Sequence, residues 1–242
     1  MRKTEHNHLP AFDRKLAHIL RHAAVVFSEK GYEGASIRDI SRSSGVSLSG
    51  LYYYFESKQQ LLFLIQLYTF SEIIRLLETR LVGVTDPVAR VGTLVRNHLG
   101  YFLRHPVEMK VLSHEDEALE GRHSRKVAQL KKRYYSMAMD IFEDLRRAGC
   151  VRRLNPRVAV MSLFGMMNWI YTWHNPRMDP SADAIADAMV GIFLEGVSNG
   201  HPARTAARAP RRIVDPKTHS RHREGTAFAV PQVPQDRRGF GL

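Results

Sequence analysis

Apolar residues recur at helical spacing along nearly the whole chain, and no stretch reads as a strand or an internal repeat. Leu16, Ile19, Leu20, Ala23 and Phe27 fall at i, i+3, i+4, i+7 and i+11, one face of a helix. Start and stop signals divide the rest. Asp13 caps the first helix and Gly31 ends it; Ser36, with Asp39 three residues on, opens a short second helix that stops near Gly45. Ser47 caps a third, running to about Phe55. Ser57-Lys58-Gln59-Gln60 opens a long fourth helix toward Val82. Asp86-Pro87 starts a helix to Leu103, and His105-Pro106 another to about Leu119. Ser124 caps a long helix ending at Arg146-Arg147-Ala148-Gly149. Asn155-Pro156 opens one reaching Trp173, and Ser181 caps a last one with Ile185, Met189, Ile192, Phe193 and Gly196 on one face. The fold class is therefore all-α.

The boundaries expected from these signals are a flexible arm (1–12), a three-helix unit (13–58), a larger helical domain (59–200) and a basic disordered tail (201–242). Periodicity is lost from His201 onward, where Pro, Arg and Ala dominate. The net charge of +12 raises the odds of a polyanionic partner, but it is unevenly placed. Residues 1–58 carry nine cations against six acids, residues 59–200 carry 18 against 15, and the tail carries nine against three. Half the excess thus lies in the tail, which weakens total charge as an argument for DNA. Cys150 is the only cysteine, so no intrachain disulfide forms, which fits a reducing cytoplasm. The N-terminus lacks a signal-like apolar stretch. The apolar run Val158–Trp173 is shorter than a bilayer span and interrupted by Ser162, Asn168 and Thr172, so no membrane partner is expected.

The stretch from Gly31 to Leu62 carries the functional signal. It reads as a short helix, a tight turn at Ser44-Gly45 and a second short helix, with Ile37, Ile40, Val46, Leu51 and Phe55 as a small core between them. That is helix-turn-helix geometry, which presents the second helix to a major groove. Ser36 and Arg38 sit in the first turn of the supporting helix, suited to phosphates. Ser47, Leu48, Ser49 and Gly50 form the first turn of the second helix, small enough for close approach to base edges. Tyr52 and Tyr54 offer hydroxyls to phosphates, and Lys58 adds a charge at the next helix N-terminus. Tyr53 reads as mixed core and surface.

These residues resemble the DNA-binding segment of the TetR family of bacterial regulators. The shared pattern is Gly31, Tyr32, Arg38, Ile40, Gly45-Val46-Ser47, Leu51-Tyr52, Tyr54-Phe55, Lys58 and Leu61-Leu62, with Ser41 where the family usually has alanine. The resemblance implies DNA contacts from Ser36, Arg38, Ser47, Ser49, Tyr52, Tyr54 and Lys58. It also implies a C-terminal domain that binds a small effector and forms a homodimer, and hence a repressor of an inverted-repeat operator.

For that second domain the residues give candidates. Val158–Trp173 is apolar nearly all round and needs cover on every side; with the last helix it would build a four-helix interface between two subunits, through Phe164, Gly165, Met189, Ile192 and Phe193. Gly165 and Gly191 would permit close approach. Tyr101, Phe102, Met109, Met137, Met139, Phe142, Met166 and Trp169 are candidate pocket residues, although each also suits ordinary core packing. The segment ending in His174-Asn175-Pro176 is similar to regulators of fatty-acid, steroid or aromatic-acid catabolism, which implies an acyl-coenzyme A type of effector. Lys131-Lys132-Arg133 would then face its phosphates, and reads equally as a solvated helix face. No cofactor or metal is expected. His114-Glu115-Asp116-Glu117 is the densest polar cluster, but its members diverge on a helix, and no HExxH, CxxC, GxSxG or phosphate loop is present, so the chain is not read as an enzyme. The competing reading is a helix-turn-helix protein controlled by a protein partner or by nothing.

Overall fold

The structure, a computed structural model, describes residues 11–114 and 118–198. The tail, most of the arm and the acids of the His114–Glu117 cluster lie outside the described residues. The described chain is built from helices alone, apart from one isolated bridge between Val151 and Ser198.

α1 (Ala11–Gly34) already includes two residues expected in the arm, so Asp13 lies inside the helix rather than at its cap. Its regular part ends at Gly31, held at φ 70, a conformation costly for any residue with a Cβ. α2 (Ile37–Ser44) has a complete capping box, with Ser36 accepting from the Asp39 N–H and Asp39 accepting from the Ser36 N–H. Gly45, left-handed at φ 66, turns the chain into α3 (Leu48–Tyr52), which is shorter than the expected span. Ser57 caps α4 (Lys58–Leu81). This helix is long and apolar enough to cross a membrane by length and composition, but here Leu61, Leu62, Ile65, Ile73, Ile74 and Leu77 are buried in the protein core.

α5 (Pro87–Phe102) follows its Asp86-Pro87 start, and α6 (Pro106–His114) follows a short turn. α7 (Gly121–Arg147) begins before Ser124, whose own N–H already bonds back to the Glu120 carbonyl at 3.3 Å. Buried Leu119 pins the chain just ahead of it, so packing rather than a cap sets this start. The apolar run opened by Asn155-Pro156 is divided at Trp169 into α8 (Pro156–Asn168) and a single turn, α9 (Ile170–Trp173). α10 (Ala182–Val197) completes the fold, capped by Ser181.

Two apolar clusters organise these helices. One joins α1–α3 and the first turns of α4; the other gathers the rest of α4 with α5, α7, α8 and α10. The division is not clean. Val111 of α6, Leu119 and Val127 of α7 are buried in the first cluster, and Phe70 packs against both.

The larger cluster encloses polar groups. Asn97 donates to the Ile73 carbonyl at 3.0 Å and accepts from Arg80 at 2.9 Å, while the His98 ring lies 3.2 Å from the Tyr134 hydroxyl. This ties α4, α5 and α7 together. Burial pushes the His98 pKa down to about 3, so the ring is neutral in the native protein. In the unfolded chain it would titrate near 6.5. Folding stability is therefore whole above pH 6.5 and falls as the unfolded state takes up its proton, by about 1.4 kcal/mol per pH unit. Unfolding of the intact protein near pH 5 should accordingly lose about 2 kcal/mol from this one ring. His98→Gln should show a visibly flatter stability profile between neutral pH and about pH 5; an unchanged profile would contradict the buried neutral histidine.

Candidate nucleic-acid interface

The α2–turn–α3 unit is fastened to α1 by two histidine side chains. The His18 ring bonds the Ser44 carbonyl at 2.8 Å, and His22 meets the Ser43 hydroxyl at 3.0 Å. Ser41 donates to the Val46 carbonyl at 2.6 Å, and Ser44 donates to the Ile40 carbonyl at 2.7 Å, so the turn is closed by its own serines. Ser41 therefore has a positive use where the family usually has alanine. Ile40, Val46, Leu51 and Phe55 are buried beneath, as expected. Ile37 is only partly buried against them.

The opposite side faces solvent. Ser36, Arg38, Ser47, Leu48, Ser49 and Tyr52 are exposed, Gly50 and Tyr54 partly so. Arg38, Ser41, Arg42 and Leu48 line a shallow depression of roughly 490 Å³ between α2 and α3. Arg42 was not singled out from the sequence, although its i+4 spacing from Arg38 puts it on the same helix face. Tyr53 is also more exposed than expected, at 75%. Asp39 holds this face in order: Lys30 and Arg42 pair with it at 2.7 and 2.6 Å, and the hydrogen bonds from Lys30 and Ser36 hold its carboxyl well below the usual carboxylate range. Gly50 has a packing reason to be small, since a Cβ there would meet Val46 at 3.0 Å.

Lys58 plays a part that spacing does not reveal. Its ammonium donates to the carbonyls of Tyr32 at 2.6 Å and of Glu33 and Ala35 at 3.3 Å, and lies 4.3 Å from the Tyr32 ring centroid. Its three donors thus close the chain end that follows Gly31 onto the start of α4, rather than pointing outward.

The candidate effector and dimer residues divide by face. Tyr101, Phe102, Met109 and Phe142 are buried in the larger cluster, and Met137, Met139 and Met166 pack partly buried against it. Trp169, expected in a pocket, is instead 63% exposed, because it continues the face of α8 that carries the exposed Val158 and Gly165. Phe164, Met189 and Phe193, expected between subunits, turn inward: Phe164 packs on Tyr134 at 5.7 Å, Phe193 on Phe142 at 6.4 Å, and Met189 is buried. Gly165 and Ile192 lie on the outer face, joined by Val158 and Met161, which helical spacing alone does not mark. A groove of about 350 Å³ runs between α8 and α10 there, lined by Val158, Met166, Ile192 and Phe193 among others.

Residues 19–65 match the family described as bacterial regulatory proteins, tetR family, and residues 84–197 match the tetracyclin repressor-like C-terminal domain. The chain belongs to the TetR family. Its relatives include the transcriptional repressor NicS of Pseudomonas putida, 29% identical over 119 residues, an alignment covering 49% of this chain and only 56% of that repressor. Among solved structures, AibR in complex with isovaleryl coenzyme A and operator DNA is 30% identical, with a TM-score of 0.67 over 74% of this chain and 97% of that one. The regulator PfmR from Thermus thermophilus is 26% identical, with a TM-score of 0.68 over 73% and 97%. This TetR-family chain is accordingly a DNA-binding transcriptional regulator and not an enzyme.

Replacing Lys58 by methionine keeps the apolar stem and removes the ammonium. A charged hydrogen-bond donor lost from part-buried carbonyls costs about 1 kcal/mol or more, so Lys58→Met should lower the urea midpoint of the DNA-free protein. Unchanged stability with weakened DNA binding would instead make Lys58 a phosphate contact.

Proposed function

We propose that this protein represses transcription as a homodimer that binds an inverted-repeat operator and lets go when a small apolar or acyl-coenzyme A type of effector enters the helical domain. The observation that carries the DNA half is the exposed face of α2–α3, where Arg38, Ser41, Arg42 and Leu48 line an open depression, Ser49 and Tyr52 are exposed on the same short unit, and the helix core lies behind them. Arg38 and Arg42 engage phosphates, and the first turn of α3, Ser47 to Gly50, enters the major groove. Two such units in a dimer sit in successive major grooves, roughly 34 Å apart.

The dimer half rests on the outer face of α8 and α10. Val158, Met161, Gly165, Trp169 and Ile192 form an exposed apolar surface of the kind that a second copy covers. The likeness to AibR, which was solved with isovaleryl coenzyme A, supports a thioester effector. The effector acts through α4 and α6. α4 carries residues of both clusters, and Val111 of α6 is buried among head residues, so movement in one domain displaces the other. A 100-fold loss of operator affinity on effector binding corresponds to about 2.7 kcal/mol of coupling, within the usual range. With its surroundings inside the bacterial cell, the site of action is the cytoplasm.

The test is a gel-shift titration on operator fragments selected from genomic DNA. Arg38→Ala combined with Tyr52→Ala removes two contacts from each subunit and should weaken binding at least about 100-fold, roughly 0.7 kcal/mol for each of the four contacts. The same variant should still sediment as a dimer of two 27.7 kDa chains. Unchanged DNA affinity would remove the assignment of this face, and a monomeric mass for the wild type would remove the dimer.

A further inference from the structure

The head does not carry the most concentrated charge in the described chain. Residues 121–139, the first two-thirds of α7, contain six Lys/Arg and no Asp/Glu, a net +6. Residues 59–200 as a whole total only +3, so the remainder of that domain is net acidic by three. The acids Glu115, Asp116, Glu117 and Glu120 all precede the stretch, and the next acid is Asp140.

Five of the cations share one exposed helix face. Arg122, Arg125, Lys126, Lys132 and Arg133 follow i, i+3, i+4, i+10 and i+11, with Gln129 completing the row, while Val127 and Tyr134 on the other face are buried. Lys131 is turned aside, over the Phe70 ring at 5.7 Å. Arg133 pairs with Glu78 of α4. Among the described residues no acid pairs with Arg122, Arg125, Lys126 or Lys132. The row extends roughly 16 Å, eleven residues at 1.5 Å each.

Its position decides what it meets. The first turn of α7 is stacked on the first turns of α4, with the His123 ring 4.3 Å from that of Phe63, and Leu119 and Val127 are buried in the same cluster as the DNA-binding head. Phe63 is five residues, about 8 Å along the helix, from Lys58 at the head boundary. The N-terminal end of the row therefore lies on the side of α7 that packs against the head cluster.

We infer that the basic face of α7 is a second nucleic-acid contact, which holds the phosphate backbone of the duplex flanking the operator. It rests on the reading of α2–α3 as the DNA-binding unit. Long, flexible cations on a solvated face contact phosphates without reading bases, so the contribution is independent of sequence and strongly dependent on salt. It would hold the dimer on DNA during search and tighten it on operators with long flanks.

The experiment measures fluorescence anisotropy of full-length protein on a random-sequence duplex longer than the footprint of one dimer. Wild type is compared with Arg122→Gln/Arg125→Gln/Lys126→Gln, and with Arg38→Ala/Tyr52→Ala as the head control. Each phosphate contact adds about 0.9 to the slope of log affinity against log salt, so the α7 variant, which loses three cations from each subunit of the dimer, should show a slope shallower by about 3–5. On a minimal operator without flanks its affinity should stay within a factor of about three of wild type, because the base contacts are intact. An unchanged slope alongside normal wild-type binding overturns the proposal. So does a variant whose slope is unchanged while its self-association in sedimentation is altered, which would make α7 a protein contact. If wild type itself binds neither duplex, the failure belongs to the reading of α2–α3.

Discussion

A five-residue helix has no stability of its own. Forming the first turn fixes several residues for a single hydrogen bond, and isolated helices several times longer than α3 are marginal in water. The surface offered to DNA therefore exists because Leu51 and Phe55 are anchored in a core built by α1, α2 and the start of α4. The turn before α3 adds Gly45 in the left-handed region and three serine-centred hydrogen bonds. Everything the protein does with DNA depends on this support from behind.

That core is not closed within the head. Val111, Leu119 and Val127 belong to the helical domain in sequence, yet they fill it. The head is consequently stabilised by the domain that would sense the effector, and a shift of α6 or of the first turns of α7 changes the packing under α3. Close-packed cores respond to such shifts by switching between arrangements rather than by deforming smoothly. Lys58 adds a second tie, joining the carbonyls after Gly31 to the start of α4, so α1 and α4 move as a unit. At the far end of α4, Arg80 and the Ile73 carbonyl are bound to Asn97, which fixes the helix to α5.

Signals in the sequence are legible where they act locally. Ser36, Asp39 and Gly45 set the ends of α2 through bonds spanning three or four residues, and Asp86, Asn155 and Ser181 do the same elsewhere. Local signals say less where distant residues decide. Ser124 has the chemistry of a cap, but Leu119 in the head core fixes an earlier start for α7. Lys58 has the look of a phosphate ligand, but carbonyls 23–26 residues away occupy it. A helix apolar on all sides gives no sign of which side is inward. Phe164, Met189 and Phe193 pack toward the core, and Val158 and Met161 lie on the exposed face. The basic row on α7 was visible only in part, as Lys131-Lys132-Arg133, because its meaning depends on which part of the fold lies beside it.

The central claim is that the first turn of α3 lies in a major groove, once per subunit. Methylation protection of guanine N7 on a selected operator tests it most directly, since that atom is exposed only in the major groove. Two protected clusters related by a dyad and separated by about one helical turn, 10–10.5 base pairs, are expected. Tight binding with no N7 protection, or with a single unpaired cluster, would contradict it.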